Sequence, residues 1–225
     1  MQIDDTYKTI VAPTEGEYSE KRSKFLAFAF PVKDLEEAEL YIEEYRKAYH
    51  NARHVCYAYM LGPDREDYRA YDDGEPSSTA GRPILGQINS NELTDVLVIV
   101  VRYFGGIKLG TGGLIQAYRE AAANALDKAE VVVRTIDVVI DFSFEYPSMN
   151  DVMRIVKDFD ATMLEQTAYG IGCSMSVRIR KSQGEALQNT LTQIPSVKIE
   201  GDIKVNYLSF FILSLISNGY FIIQQ

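Results

Sequence analysis

The run Val101-Arg102-Tyr103-Phe104-Gly105-Gly106-Ile107-Lys108-Leu109-Gly110-Thr111-Gly112-Gly113 constrains this chain more than any other stretch. It follows an apolar segment, Val96 to Val101, that reads as a buried strand. It precedes Leu114 to Lys128, which reads as a helix. Glycine surrenders more backbone freedom on folding than any other residue. Five glycines at a strand-to-helix junction therefore imply a tight bend or a very close approach. The approaching group is a ligand, a partner or another strand.

The chain has 225 residues, enough for one large domain or two ordinary ones. Its apolar content of 46% and charged content of 24% are those of a globular protein able to bury a core. Net charge is −9. Residues 1 to 135 hold 16 Lys and Arg against 22 Asp and Glu, or −6, and the remainder 7 against 10, or −3. Neither half is basic, which argues against non-specific duplex binding driven by counterion release, while leaving room for a local basic patch. Two distant cysteines, Cys56 and Cys173, suit a reducing cytoplasm rather than a disulfide framework. No basic start followed by an apolar stretch marks a signal peptide.

After Lys204 no charged side chain appears, and thirteen of the nineteen residues from Val205 to Ile223 are apolar. That approaches the roughly 20 needed to span a bilayer. Asn206, Ser209, Ser214, Ser217, Asn218 and Gly219 interrupt the run, so a packed strand or helix is expected and stable membrane association is not.

Periodicity predicts an α+β chain of two domains: 1–134, 135–205, and an uncharged tail over 206–225. In the first, Phe25 to Val32 suits a strand. Asp34 caps a helix over Leu35 to Tyr49, with acids early and Arg46-Lys47 late. His54 to Leu61 is β-prone, with His54, Cys56, Ala58 and Met60 on one face. Gly62 to Arg82 is polar, and Pro83 to Ile88 starts a short helix or turn. Val131 to Val133 could form another strand. In the second domain, Thr135 to Phe144 suits a strand, and Pro147-Ser148 opens a helix to about Phe159. Ala161 to Ala168 and Cys173 to Lys181 form a strand pair around Gly170-Ile171-Gly172. Gln183 to Gln193 is helical, and Val197 to Val205 is a last strand. The order β-α-β-β-α-β is that of a ferredoxin-like unit.

The glycine bend is not a nucleotide P-loop, because Thr111 stands where lysine belongs. Free N–H groups at Thr111 to Leu114, in a helix beginning near Gly112, could receive an anion, with charge from Arg102, Lys108 and Arg119. Close helix–sheet packing explains the glycines equally well. His54 and Cys56 fall short of a closed zinc site. As neighbours two apart on a strand they are also about 6.6 Å apart along it, too far for a nucleophile pair. Asp72, Asp73 and Glu75 either hold magnesium through waters or cap the backbone of an ordered loop, and the second is favoured. No metal or other cofactor is expected. Tyr57, Tyr59, Tyr68, Tyr71 and Tyr103 could stack on bases or on a partner's side chains.

Four stretches resemble the IMPACT family in its bacterial YigZ-like branch: Lys21 to Phe25, Ala52 to Tyr59, Asp72 to Pro76 through Thr79 to Gly81, and Val101 to Gly110. The last is the family's signature. The resemblance implies a β-α sandwich for the first domain, like one shared by a small-subunit ribosomal protein and elongation factor G. For the second it implies the ferredoxin-like domain that YigZ-like proteins append. Eukaryotic relatives bind a ribosome-associated activator and restrain the kinase it switches on. Bacteria lack that route, so the implied function is narrower. It is a non-catalytic, cytoplasmic regulatory protein docking on a translation-linked protein or structured RNA. The positions carried over are His54, Asp72, Asp73, Glu75, Thr79, Arg102, Tyr103, Gly105, Gly106, Lys108 and Gly110. Arg119 joins them through a basic cluster with Lys21, Arg22, Lys24 and Arg53. Arg53 stands where a small residue is common, and the tail after Lys204 is foreign to the family.

Two alternatives stay open. One is a hydrolase using His54 with Asp72, Asp73 or Glu75, which requires those groups to converge. The other is an adaptor in which the glycine bend only packs. No His-Glu-x-x-His pattern and no Gly-x-Ser-x-Gly elbow is present.

Overall fold

The computed structural model describes residues 5–206. The chain divides into two compact units, one of Thr6–Arg134 and one joining Asp5 to the stretch from Thr135 onward.

The first unit contains β1 (Thr6–Ile10), β2 (Thr14–Glu20), β3 (Ser23–Pro31), α1 (Leu35–Ala48), β4 (His54–Leu61) and β5 (Asp67–Tyr71). It continues with α2 (Gly81–Ser90), β6 (Val96–Tyr103), α3 (Gly110–Leu126) and β7 (Val131–Thr135). β2, β3, β6, β4 and β5 form one antiparallel sheet in that order, and β1 pairs with β7 separately. β6 lies at the centre. Val96, Val98 and Val100 join the core under α2 and α3, whereas Leu97, Ile99 and Val101 join the core under α1. Helices on both faces explain why β6 reads as an unbroken apolar run without alternation.

The two faces pack differently. Towards α2 and α3 the sheet offers Ala27, Ala29, Cys56 and Ala58, and α3 answers with Ala117, Ala121, Ala122 and Ala125. Small residues on both sides let helix and sheet approach closely. Gly16 marks the tightest point there, since a Cβ would lie 2.4 Å from the Ala125 nitrogen. Towards α1 the packing is aromatic: Phe30 stacks on Tyr41 at 4.4 Å between ring centroids, and Phe28 meets Tyr45 at 4.7 Å. The Asp34 carboxylate accepts the Glu37 N–H at 2.9 Å and caps α1.

A two-residue turn, Lys21-Arg22, joins β2 to β3, with φ of 45° and 66°. Type I′ hairpins require this geometry and normally take Asn-Gly. Two long cationic residues are held in the left-handed region instead, at a cost of order 1 kcal/mol each. The turn presses on the glycine bend: a Cβ on Gly105 would lie 2.0 Å from the Arg22 carbonyl carbon.

The second unit runs β8 (Asp137–Glu145), a one-turn 3-10 helix (Tyr146–Ser148), α4 (Met149–Asp158), β9 (Thr162–Tyr169) and β10 (Gly172–Arg180). It ends with α5 (Lys181–Leu191), β11 (Lys198–Ile199) and β12 (Lys204–Asn206). The antiparallel sheet has the order β11-β8-β10-β9, with β12 also on β8. Phe142, Phe144, Met175 and Val177 from the sheet form its core with Val152 and Val156 of α4 and Leu187 and Leu191 of α5. Asp5 accepts two hydrogen bonds from the Arg180 guanidinium, at 2.6 and 2.8 Å.

Some boundaries differ from expectation. The helix after the glycine bend begins at Gly110, four residues before Leu114. The strand expected over Val197 to Val205 is two pieces, separated by a turn with Gly201 at φ 79°. β5 lies within the stretch read as merely polar. Of the expected tail, only Asn206 is described, as the end of β12; the remainder lies outside the described residues. Among the described residues no helix is long and apolar enough to cross a membrane.

Candidate binding cleft

β4 and β6 pair so that His54 lies opposite Arg102, and Phe25 of β3 is opposite Arg102 on its other side. Directly opposed residues share a sheet face, so the three side chains meet on the α3 side, just past the last apolar layer. Arg102 is 5% exposed. Its guanidinium carbon lies 5.5 Å from the Phe25 ring centre and 5.6 Å from that of Phe104. Nη1 donates to Glu75 Oε1 at 2.5 Å, while Nε is buried without a hydrogen-bond partner among the described residues.

Glu75 is also nearly fully buried. The same Oε1 accepts the Tyr118 hydroxyl of α3 at 2.9 Å. The Cys56 thiol donates to the Asp72 carbonyl at 3.0 Å and lies 3.3 Å from the Tyr118 hydroxyl oxygen. Burial pushes the Cys56 thiol up, which disfavours the thiolate form. Burial, then the neighbouring Cys56 and Glu75, likewise push the Tyr118 phenol up. A buried carboxylate that is paired and doubly hydrogen-bonded meets its desolvation cost locally.

The acidic turn is built to hold Glu75 in place. Asp72 accepts backbone N–H groups of Ser78 (2.8 Å), Ala80 (3.0 Å) and Gly81 (2.8 Å). Asp73 accepts the Val55 N–H at 2.7 Å, tying the turn to β4, and its carbonyl lies 2.7 Å from His54 Nδ1. The Thr79 hydroxyl donates to the Pro76 carbonyl at 2.6 Å. Asp72 therefore spends both carboxylate oxygens on backbone amides, the capping role, whereas Asp73 spends Oδ2 on one and its Oδ1 faces Arg46 at 3.8 Å. Among the described residues no group of three His, Cys, Asp or Glu side chains could hold a metal ion.

Above this floor opens a cleft of about 640 Å³. His54, Glu75, Arg102, Lys108 and Gly110 all line it, with Arg53, Phe104, Leu109 and Thr111. Arg53 and Lys108 are exposed, and among the described residues neither is in an ion pair. The remaining sequence-derived candidates sit elsewhere. Asp72, Asp73 and Thr79 brace the turn. Gly105 receives the Lys21-Arg22 hairpin, and Gly106 turns the chain at φ 88°. Tyr103 points to the opposite face, its hydroxyl donating to Asn51 at 3.1 Å, because β6 alternates sides. Arg119 lines a separate groove between α2 and α3 with Arg82. Of the stacking tyrosines, Tyr57 and Tyr71 stack on each other at 5.1 Å beneath Arg46, away from the cleft.

Tyr118, Phe25 and Phe104 belong to the site without being singled out by sequence. The one signal for Tyr118 is a large polar-tipped residue on an alanine-rich helix face.

Residues 21–126 match the Impact N-terminal domain, a stretch that includes every residue lining the cleft. IMPACT family member YvyE of Bacillus subtilis is 31% identical over 205 residues, covering 91% of this chain and 93% of that protein. IMPACT family member YigZ of Escherichia coli is 32% identical over 146 residues, covering 64% and 72% respectively. A crystal structure of a protein described only as hypothetical aligns with a TM-score of 0.67 at 26% identity, covering 88% of this chain and 97% of that one.

Proposed function

Because this chain belongs to the IMPACT protein family, we propose that it is a non-catalytic regulatory protein linked to translation. It docks through the cleft at the start of α3 on a ribosome-associated protein or a structured RNA, in the cytoplasm. The second unit, with strands in the order β11-β8-β10-β9, serves as a ferredoxin-like module.

One observation carries the reading. The cleft combines an exposed cationic rim, Arg53 and Lys108, with an apolar wall, in a chain whose net charge is −9. A local positive patch on an acidic protein attracts an anionic partner while the remaining surface repels unspecific ones. The Lys21-Arg22 hairpin, held strained against Gly105, adds two cations to the same bend. Strain of this kind persists where function requires it.

Hydrolysis is poorly served by these groups. The Asp72 carboxylate is occupied by backbone amides, and that of Asp73 by the Val55 N–H and the Arg46 ion pair. His54 Nε2 is 3.8 Å from Glu75 Oε1, outside hydrogen-bond reach, and that oxygen already serves Arg102 and Tyr118.

The test is sedimentation of the full chain with ribosomal particles from lysate across a salt series. The expected result is co-sedimentation at low salt that declines steadily as salt rises and drops sharply in an Arg53→Ala/Lys108→Ala variant. Absence of the chain from the particle fractions at every salt concentration would reject the proposal. Nuclease treatment separates the sources: loss of association identifies RNA, and retention identifies protein.

A further inference from the structure

We propose that the inner end of this cleft is a nucleotide site, taking a phosphate at the first turn of α3 and a base against Phe104. The proposal rests on reading the cleft as a binding surface and names the chemistry it recognises.

The phosphate position follows from three features. α3 is 17 residues long and has no side-chain cap at its start; Leu109 occupies the N-cap position, and its side chain has no acceptor for the N–H groups of the first turn. The N–H groups of its first turn are therefore free to meet an anion, aided by the helix dipole. Gly110 and Thr111 of that turn line the cleft, with Lys108 beside them. Arg102 is the second, independent pointer. It is more than nine-tenths buried at the cleft floor, spends a single N–H on Glu75, and leaves Nε unpartnered. The Arg102–Glu75 pair is neutral as a unit, so Arg53 and Lys108 leave the cleft with an excess of two positive charges.

The base position follows from the wall. Phe104 is 49% exposed although it is a large apolar residue in a glycine-rich bend. One side of its ring faces the Arg102 guanidinium, and a base can stack on an exposed aromatic face. Leu109 and Leu114 extend the apolar lining. A volume of about 640 Å³ lies within the range of small-molecule sites, roughly 300–1,000 Å³. A flat ring with a phosphate suits this wall and charge better than a phosphoserine or phosphothreonine side chain, which brings no ring for Phe104.

Titration calorimetry on the full chain tests this with four probes: inorganic phosphate, adenosine, the four nucleoside 5′-monophosphates, and a six-nucleotide single-stranded RNA. The monophosphates are expected to bind more tightly than phosphate or adenosine. Lys108→Ala should weaken them about tenfold, the value of one charge-assisted contact. Phe104→Ala should weaken the monophosphates and leave phosphate binding unchanged. Both residues are exposed, and circular dichroism verifies that the variants fold. Tighter binding of the RNA than of any monophosphate would identify a strand as the source, and equal binding a free nucleotide. Failure of both to bind at millimolar concentration, or binding insensitive to Lys108→Ala, overturns the proposal. Ribosomal co-sedimentation that survives such a failure leaves the docking function standing without the nucleotide.

Discussion

Glutamine in place of Glu75 removes one charge and almost no volume, so it isolates the buried ion pair beneath the cleft. The Arg102 side chain is 7% exposed and that of Glu75 is 3%, and solvent screens them little. With charge centres about 4 Å apart and an effective dielectric near 20, their attraction is about 4 kcal/mol. The amide oxygen of the substituted side chain still accepts from Arg102 and Tyr118, retaining about 1 kcal/mol of hydrogen bonding. A loss of about 3 kcal/mol remains, within the range for breaking a buried pair by removing one partner. Glu75→Gln combined with Arg102→Met removes both charges and should recover at least half of that loss. Urea unfolding read by hydrogen exchange at β4 and β6 amides measures this in the Thr6–Arg134 unit. A loss under about 1 kcal/mol for the single variant, or a double variant no more stable than the single, would refute the claim of a closed, mutually dependent floor.

Replacing Lys21-Arg22 by Asn-Gly should raise stability by about 1–2 kcal/mol in thermal melts, because both positions have positive φ, and should weaken retention on ribosomal particles. Gly112→Ala should stabilise by about 0.5–1 kcal/mol, since no atom lies within 4 Å of the added methyl and the residue is helical; a destabilised variant would contradict the described start of α3. In the second unit, hydrogen bonding to Arg180 holds the Asp5 carboxyl below the usual range, and Ser176 and Lys204 do the same for Asp141. A carboxyl depressed in the folded state stabilises fully above its unfolded value, near 3.9, and that stabilisation disappears as pH falls through the folded value. Acid unfolding of Asp5→Asn should therefore show a shallower decline below about pH 4 than wild type, and an unchanged slope would argue against the pair.

Central elements were legible because burial writes itself into composition. Val96 to Val101 lies between two helical layers and is apolar throughout, and Asp34 with its acidic first turn announced α1. The sheet edges were not legible. β2 alternates in burial, but Tyr18 is the one large apolar side chain on its inward face, and β5 is exposed along most of its length, so neither reads as a half-buried strand from hydropathy. The two-piece ending of the second sheet was hidden because Gly201 interrupts pairing without changing the apolar count around it. At the site, His54 and Arg102 come to the same level only through strand register, which no periodicity reveals. Tyr103 comes with Arg102 in the matched signature stretch, yet one step along a strand reverses the side chain. For Asp72 and Asp73 the sequence favours backbone capping over a magnesium site, and both accept backbone N–H groups, although a carboxylate that caps backbone has the same sequence signature as one that binds a cation.

The central claim is that partners engage the cleft at the start of α3. Hydrogen exchange of the full chain, alone and with ribosomal particles at low salt, tests it most directly. Slowed exchange at Arg53, His54 and Lys108 through Leu114, with no change over α1, is the predicted pattern. Protection confined to α1 or to the second unit, with the cleft amides unaltered, would contradict it.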